Sequence, residues 1–292
     1  MDYGIILPSI GDAASREGME AAAELAERHG FTDVWGTDHV LVDHSATEDY
    51  GRTFEILTTL AWVGGRFRKV RLGASVIIAP MRNAVLLAKE LSTLDDLSAG
   101  RVIAGLGAGW LAPEFANLGE ADRYHVRGAY LDETIRLFRH LWSGTGDPFH
   151  GRFHTLDDYV FGPLPYQGVD LPIWIGGRNE KALQRVGRLA DGYHASATSP
   201  AAFAERIPVI RAAAAAAGRP MPLLSGRVRV EQGAGPVEGA FTLHGEPPAI
   251  AAGIRAYADL GVGHLALAFP EREPEALARS VERFVTEVRP LV

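Results

Sequence analysis

Residues 70–110 read VRLGASVIIAP, then MRNAVLLAKELSTLDDLSAG, then RVIAGLGAGW. Two short runs rich in Val, Ile and Ala flank a longer stretch with helical spacing, which predicts a strand, a helix and a second strand. Gly100 stands directly after the helical stretch, where glycine commonly ends a helix. Both strands end in small residues and turns, which is where α/β proteins bind their ligands. The segment therefore indicates both an α/β fold and a site.

The same alternation of short apolar runs and helical stretches continues along the chain and predicts eight strand–helix units. The predicted strands are Tyr3–Pro8, Thr32–Gly36, Val70–Ile78, Val102–Leu106, Pro172–Ile175, Gly192–Ala195, a run within Leu223–Val230, and His264–Ala268. Asp147–Tyr159 predicts a hairpin inserted after the fourth strand, and Gly233–Gly245 predicts a loose, glycine-rich connection. Eight such units favour a (β/α)₈ TIM barrel formed by residues 1–292 as a single domain, with an open doubly wound sheet as the alternative.

The composition of the chain argues against several classes of function. The 292-residue chain has a net charge of −7, which argues against general affinity for nucleic acid or an anionic membrane surface. It has no cysteine, which excludes disulfides, thiolate metal sites and a cysteine nucleophile. No run approaches the roughly 18 apolar residues of a membrane span, and MDYGIILPSIG lacks the basic region of a signal peptide. We therefore expect a cytoplasmic protein without nucleic-acid or membrane partners.

The residues that follow the strands are the candidate site, because ligands of such barrels bind at the carboxyl ends of the strands. These residues are Ser9, Asp38, His39, Ser75, Val76, Gly107, Ala108, Gly109, Trp110, Gly176, Gly177, Arg178, His194 and Ser196. The set lacks the paired acids of a glycosidase, the converging ligands of a metal site and a GxSxG nucleophile. It favours a wide pocket for a flat ring, with a phosphate bound by Arg178 and the turn that opens the next helix.

Three segments resemble the luciferase-like monooxygenase superfamily: VWGTDH at 34–39, the stretch from LGASV to GAGW at 72–110, and PIWIGGRNEKALQRVGRLADGYH at 172–194. The resemblance is strongest to the single-domain branch that uses the deazaflavin coenzyme F420. It implies an oxidoreductase, active as a homodimer, that transfers a hydride between coenzyme F420 and a small organic substrate. Sister branches use FMN on the same barrel, so an FMN-dependent monooxygenase is the alternative. A barrel that binds a ligand without turnover is a third.

The resemblance also implies roles for individual residues. His39, next to Asp38, would donate or accept a proton beside the ring. Ser75–Val76 would form a bulge with a non-prolyl cis peptide bond behind the ring. Further cofactor contacts would come from Gly107, Ala108, Gly109, Gly176, Gly177, Arg178 and Ser196, and substrate contacts from Trp110, Ser9 and His194. Sugar-phosphate dehydrogenases of this branch have a Glu where this chain has Trp110, so we do not expect that activity.

Overall fold

Parallel strands close into a barrel in the computed structural model, which describes residues 1–233, 241–271 and 273–292. The strands are β1 (Asp2–Ile6), β2 (Asp33–Gly36), β3 (Arg71–Ala74), β4 (Ile77–Ile78), β5 (Val102–Gly107), β6 (Phe149–His150), β7 (Thr155–Leu156), β8 (Ile173–Ile175), β9 (Gly192–Ser196), β10 (Leu223–Gln232), β11 (Thr242–Gly245) and β12 (Val262–Ala268). Neighbours pair in the order β1, β2, β3, β5, β8, β9, β10, β12, and β12 pairs again with β1. The predicted (β/α)₈ barrel is confirmed.

Helices surround the barrel and alternate with its strands. They are α1 (Arg16–Arg28), α2 (Thr47–Tyr50), α3 (Ile56–Arg66), α4 (Ala84–Leu97), α5 (Ala112–Asn117), α6 (Ala121–Ser143), α7 (Glu180–Leu189), α8 (Pro200–Ala216), α9 (Pro247–Ala258) and α10 (Pro274–Arg283), with one π-helical turn at Phe284–Val288. Their ends follow local rules: the Ser15 side chain accepts a hydrogen bond from the Gly18 N–H at the start of α1. Two residues after α1, Gly30 has a left-handed φ of 69°. No helix of the described residues is long and apolar enough to cross a membrane.

The structure modifies two of the predicted elements and confirms a third. The single predicted strand Val70–Ile78 is two strands, β3 and β4, separated by Ser75 and Val76. The predicted hairpin exists as the antiparallel pair β6 and β7. The prediction of a loose connection at Gly233–Gly245 is wrong at its end: β11 pairs there with the last residues of β10, while residues 234–240 lie outside the described part of the chain.

Aromatic rings fill the lower half of the barrel. The Trp35 ring is fully buried and stacks on the His194 imidazole at a centroid distance of 4.5 Å and an interplanar angle of 7°. Trp174 is buried against Trp35 as well, which agrees with a core position for this residue. Glycine on the adjacent strand makes room, since a Cβ at Gly73 would stand 2.4 Å from the Trp35 ring. Ligands are therefore confined to the other end of the barrel, where the strands end.

Candidate active site

A buried hydrogen bond to a carboxylate holds His39 at the mouth of the barrel. His39 follows β2, and its Nδ1 lies 2.8 Å from Oε2 of Glu114, in the first turn of α5. The other carboxylate oxygen accepts hydrogen bonds from the backbone N–H groups of Val40 (2.6 Å) and Leu41 (3.3 Å). Burial raises the pKa of Glu114, but the hydrogen bonds from His39 and Val40 outweigh it, so this pKa lies below its ordinary value. An ionised Glu114 thus fixes the imidazole, with Nδ1–H donating and Nε2 left for a ligand.

Two aromatic side chains stand beside that imidazole. The Tyr50 ring, from α2, lies 4.2 Å from the His39 ring, and the Trp110 ring lies 6.2 Å away edge-on. Tyr50 and Trp110 also contact each other, at 6.1 Å. Trp110 is 57% exposed, which is unusual for tryptophan and typical of a wall that a ligand covers. The Tyr50 and Trp110 rings form an apolar wall next to the imidazole of His39. Pockets for small organic molecules commonly combine such a wall with a few polar groups.

Asp38 has a different position from its neighbour His39. Both of its carboxylate oxygens are used: one accepts from the Ile78 backbone N–H and the other from Arg82, each at 2.8 Å. Burial raises the pKa of Asp38, and the facing Arg82 guanidinium offsets this only in part. Its side chain is fully buried, so Asp38 connects the end of β2 to β4 and does not face a ligand. The geometry gives no support to a direct catalytic role for Asp38.

The peptide bond between Ser75 and Val76 is cis, as the resemblance implies. The Val76 side chain fills the space between two strand ends. A Cβ at Gly107 would stand 2.5 Å from Val76 Cγ2, and a Cβ at Gly176 would stand 3.3 Å from Val76 Cγ1. Packing against Val76 therefore requires glycine at position 107 and favours it at position 176, a reason that the sequence did not reveal. Together these residues form a smooth floor for a flat ring.

Buried polar side chains form a continuous chain beneath that floor. Ser75 Oγ lies 2.9 Å from His194 Nε2, and His194 Nδ1 lies 2.9 Å from Ser225 Oγ. Ser225 Oγ lies 2.7 Å from His264 Nδ1, and His264 Nε2 lies 2.9 Å from Asp33 Oδ1. Burial raises the pKa of Asp33, but His264 and further hydrogen bonds lower it more, and the carboxylate stays ionised. Each ring nitrogen and hydroxyl of the chain thus has a hydrogen-bond partner.

His194 therefore lies within the barrel, below Ser75, and both of its ring nitrogens are occupied. Its position does not support the expected place in a substrate pocket. Burial, together with His264 and Arg227, lowers the pKa of His194 to about 3. A neutral imidazole fits this chain, because it can donate through one ring nitrogen and accept through the other.

We expect the pH dependence of stability to report this buried imidazole. Between pH 6.5 and about 3 the unfolded state binds a proton at His194 that the folded state does not, so stability falls as the pH falls through this window. The slope from one such group is about 1.4 kcal/mol per pH unit. Urea unfolding of wild type and His194→Gln between pH 4 and 7 measures it, with exposed His44→Gln as control. Equal slopes in all three proteins would contradict the assignment.

A glycine-containing turn precedes α7 at the mouth. Gly177 has a φ of 138°, which side-chain-bearing residues rarely adopt, and its carbonyl accepts a hydrogen bond from the Tyr193 hydroxyl at 2.9 Å. Arg206 donates to the same hydroxyl, at 3.2 Å. Arg178 is exposed at this turn and lies close enough to lower the pKa of Tyr50, although burial of Tyr50 has the larger, opposite effect. The turn is thus rigid and positively charged, which fits a phosphate group.

The other predicted site residues lie at the same end of the barrel. Ser196 is exposed at the end of β9. Ser9 is buried after β1 and accepts a hydrogen bond from the Thr37 N–H at 3.4 Å. Ala108 and Gly109 follow β5, where Gly109 has a left-handed φ of 77°. No group of three potential metal ligands was found among the described residues.

Sequence reasoning missed four residues that organise the mouth: Glu114, Tyr50, Tyr193 and Arg227. Glu114 is in the first turn of a helix, where acids are common for reasons unrelated to a site. Tyr50 is in a long connection whose course the sequence did not indicate. Tyr193 and Arg227 lie within strands: Tyr193 packs outward against Phe203 of α8, Arg227 faces the interior, and only the closed barrel distinguishes the two directions. The arginine in the tenth strand was the one detectable signal, since charged residues inside a buried parallel strand are rare.

The carboxylate-held imidazole and the glycine–arginine turn lie at the carboxyl ends of the barrel strands, where barrels of this type bind their ligands. A family model for luciferase-like monooxygenases matches residues 1–237. The chain belongs to this family.

Relatives within the family differ in cofactor. The chain is 30% identical over 199 residues to an FMNH₂-dependent dimethylsulfone monooxygenase of Pseudomonas putida, covering 67% of this chain and 53% of the relative. It is 32% identical over 201 residues to an F420-dependent glucose-6-phosphate dehydrogenase of Nakamurella multipartita, covering 68% and 58%. The matches thus span little more than half of these relatives. A solved structure, the coenzyme F420-dependent tetrahydromethanopterin reductase of Methanopyrus kandleri, shares the fold with a TM-score of 0.81 at 18% identity, covering 99% and 98%.

Proposed function

We propose that the protein is a coenzyme F420-dependent oxidoreductase that transfers a hydride between the deazaflavin and a small organic substrate at the barrel mouth. The observation that carries the proposal is the His39–Glu114 pair, 2.8 Å apart and almost fully buried. Reduction of a carbonyl group needs a proton at oxygen as well as a hydride at carbon. A histidine held by a carboxylate beside an apolar wall is suited to supply that proton.

The residues of the mouth fit such a cofactor. The rigid turn at Gly177 and the exposed Arg178 offer donors and positive charge to a phosphate, and Val76 with its glycines offers a flat floor to a ring. Ser196 adds a hydroxyl at the neighbouring strand end. A bound deazaflavin supplies or accepts the hydride. The protein orients the substrate against Trp110 and Tyr50, and His39 Nε2 gives a proton to the substrate oxygen, or takes one in the reverse direction.

An FMN-dependent monooxygenase is the second candidate, supported by the similarity to the P. putida enzyme. The expected homodimer and cytoplasmic location stay predictions, the former to be checked by light scattering of the purified protein. The cofactor has to be identified before the activity, because F420-dependent hydride transfer and FMN-dependent monooxygenation both occur among the relatives.

Separate titrations with coenzyme F420 and FMN, followed by cofactor fluorescence, test the proposal. We expect coenzyme F420 to bind and Arg178→Gln to weaken binding about 10-fold, the effect of losing a charge-assisted hydrogen bond. Arg188→Gln is the matched control, because Arg188 lies on the outer face of α7 and pairs with Asp132. Binding of FMN alone would favour the monooxygenase. Binding of neither would leave a barrel that binds some other ligand.

A further inference from the structure

Arg227 crosses the mouth of the barrel. It lies on β10, in register with Ser196 of β9 and Ala266 of β12. Its Nη1 donates to Thr37 Oγ1 at 3.1 Å and to the Ser75 carbonyl oxygen at 3.4 Å. Those acceptors follow β2 and β3, which are separated from β10 by β12 and β1. The guanidinium therefore reaches over the interior, just above the buried polar chain and level with the strand ends.

No carboxylate pairs with Arg227 among the residues that the structure describes. Its two hydrogen-bond acceptors are neutral oxygens. Burial lowers the pKa of Arg227, and within the described part of the chain the opposing influence comes from the Tyr50 hydroxyl. Two neighbouring arginines are compensated: Arg229, two residues further along β10, pairs with Glu231, and Arg82 pairs with Asp38. Arg227 is thus a largely buried cation without a counter-ion, in a protein whose net charge is −7.

An uncompensated buried charge is costly, and proteins normally pair it. A guanidinium group without a carboxylate partner at the mouth of a pocket is therefore suited to bind an anionic ligand. The hydrogen bond to Thr37, two residues before His39, shows which side of the mouth this is, and Tyr50 lies on the same side. The same side chain contacts His39 and Trp110 and is close enough to Arg227 for the guanidinium to lower its hydroxyl pKa, against the larger effect of burial. Arg227 consequently lies beside the space that His39 and Trp110 line, and the exposed Arg178 approaches Tyr50 from the turn before α7.

We propose that Arg227 binds an anionic oxygen group, of the carboxylate type, on the substrate. The substrate class is then a small organic acid whose reacting carbon lies between this anchor and His39. This inference rests on the proposed function for the identity of the reaction, but not for the binding of the anion. An anionic group of the bound cofactor has the same chemistry, so the experiment has to separate the two sources.

The test measures anion binding without turnover. Acetate and sulfate are titrated into the protein, with and without coenzyme F420, at constant ionic strength kept with NaCl, and the melting temperature gives the Kd. We expect both anions to stabilise wild type, and Arg227→Gln to raise their Kd about 10-fold to 100-fold, as expected for losing a hydrogen bond to a charged group. Arg229→Gln is the matched control and should keep the wild-type Kd. Arg227→Lys retains the charge and should give an intermediate Kd, and it replaces Arg227→Gln if that variant does not fold.

Equal anion Kd values for wild type and Arg227→Gln, or no anion binding to wild type in either state, would overturn the proposal. The affinity for coenzyme F420 in buffer without acetate or sulfate shows whether the bound anionic group belongs to the substrate or to the cofactor. If Arg227→Gln weakens cofactor binding as strongly as acetate binding, the anion belongs to the cofactor and the substrate assignment is wrong. Failure of wild type to bind the cofactor would refute the proposed function instead, and the anion titrations of the cofactor-free protein would still stand as a separate result.

Discussion

Replacing His39 by alanine is expected to lower turnover by about 10²-fold to 10⁴-fold, the usual contribution of a general acid or base. Cofactor affinity should stay nearly unchanged, because the phosphate turn at Gly177 and the floor at Val76 are built from other elements. Cofactor reduction or oxidation is followed at saturating substrate, and the cofactor Kd is measured separately by fluorescence. His44→Ala is the control, since His44 is an exposed histidine in the same connection.

Two outcomes would contradict this role of His39. Unchanged turnover in His39→Ala would remove the imidazole from the mechanism. A loss of cofactor binding as large as the loss of turnover would make His39 a binding residue and not a proton donor.

Replacing Glu114 by glutamine is expected to have an effect of similar size through His39. The amide oxygen can still accept hydrogen bonds from the Val40 and Leu41 N–H groups, so the connection should keep its course. The amide NH₂ would face His39 Nδ1, which forces the imidazole proton onto Nε2 and removes the negative charge that stabilises an imidazolium. We expect kcat to fall by about 10²-fold or more with little change in KM, and the pH profile of kcat to shift.

The chain contains a close control for this change. Glu133 also contacts a histidine, His154 at 2.9 Å, and accepts from backbone N–H groups of the hairpin segment, including Arg152 and Phe153. Glu133→Gln therefore reproduces the loss of charge and the same local bonding without touching the mouth. An equal fall of kcat in Glu133→Gln and Glu114→Gln would show that the Glu114 carboxylate is structural. An unchanged pH profile in Glu114→Gln would exclude its action through His39.

The barrel could be predicted from sequence because its signals are local. Strand and helix periods, together with the rule for where parallel strands end, place His39, Ser196 and the turn at Gly177 on one face without any tertiary information. Glu114 and Arg227 could not be predicted, since their meaning comes from partners 75 and 190 residues away in the chain, at His39 and Thr37. Asp38 shows the converse, because its place in the sequence indicates a ligand while its hydrogen bonds go to Ile78 and Arg82.

The polar chain from Ser75 to Asp33 also restricts how this barrel can evolve. Each inner member satisfies two neighbours, so a single change of Ser225 or His194 to an aliphatic residue leaves buried groups without partners. Replacing the polar chain by an apolar interior of equal stability requires several simultaneous substitutions. Variants that carry only some of them are less stable than either the polar or the fully apolar interior. We therefore expect sequence variation to concentrate in the connections around the mouth. Relatives that act on other substrates should keep the polar chain from Ser75 to Asp33 unchanged.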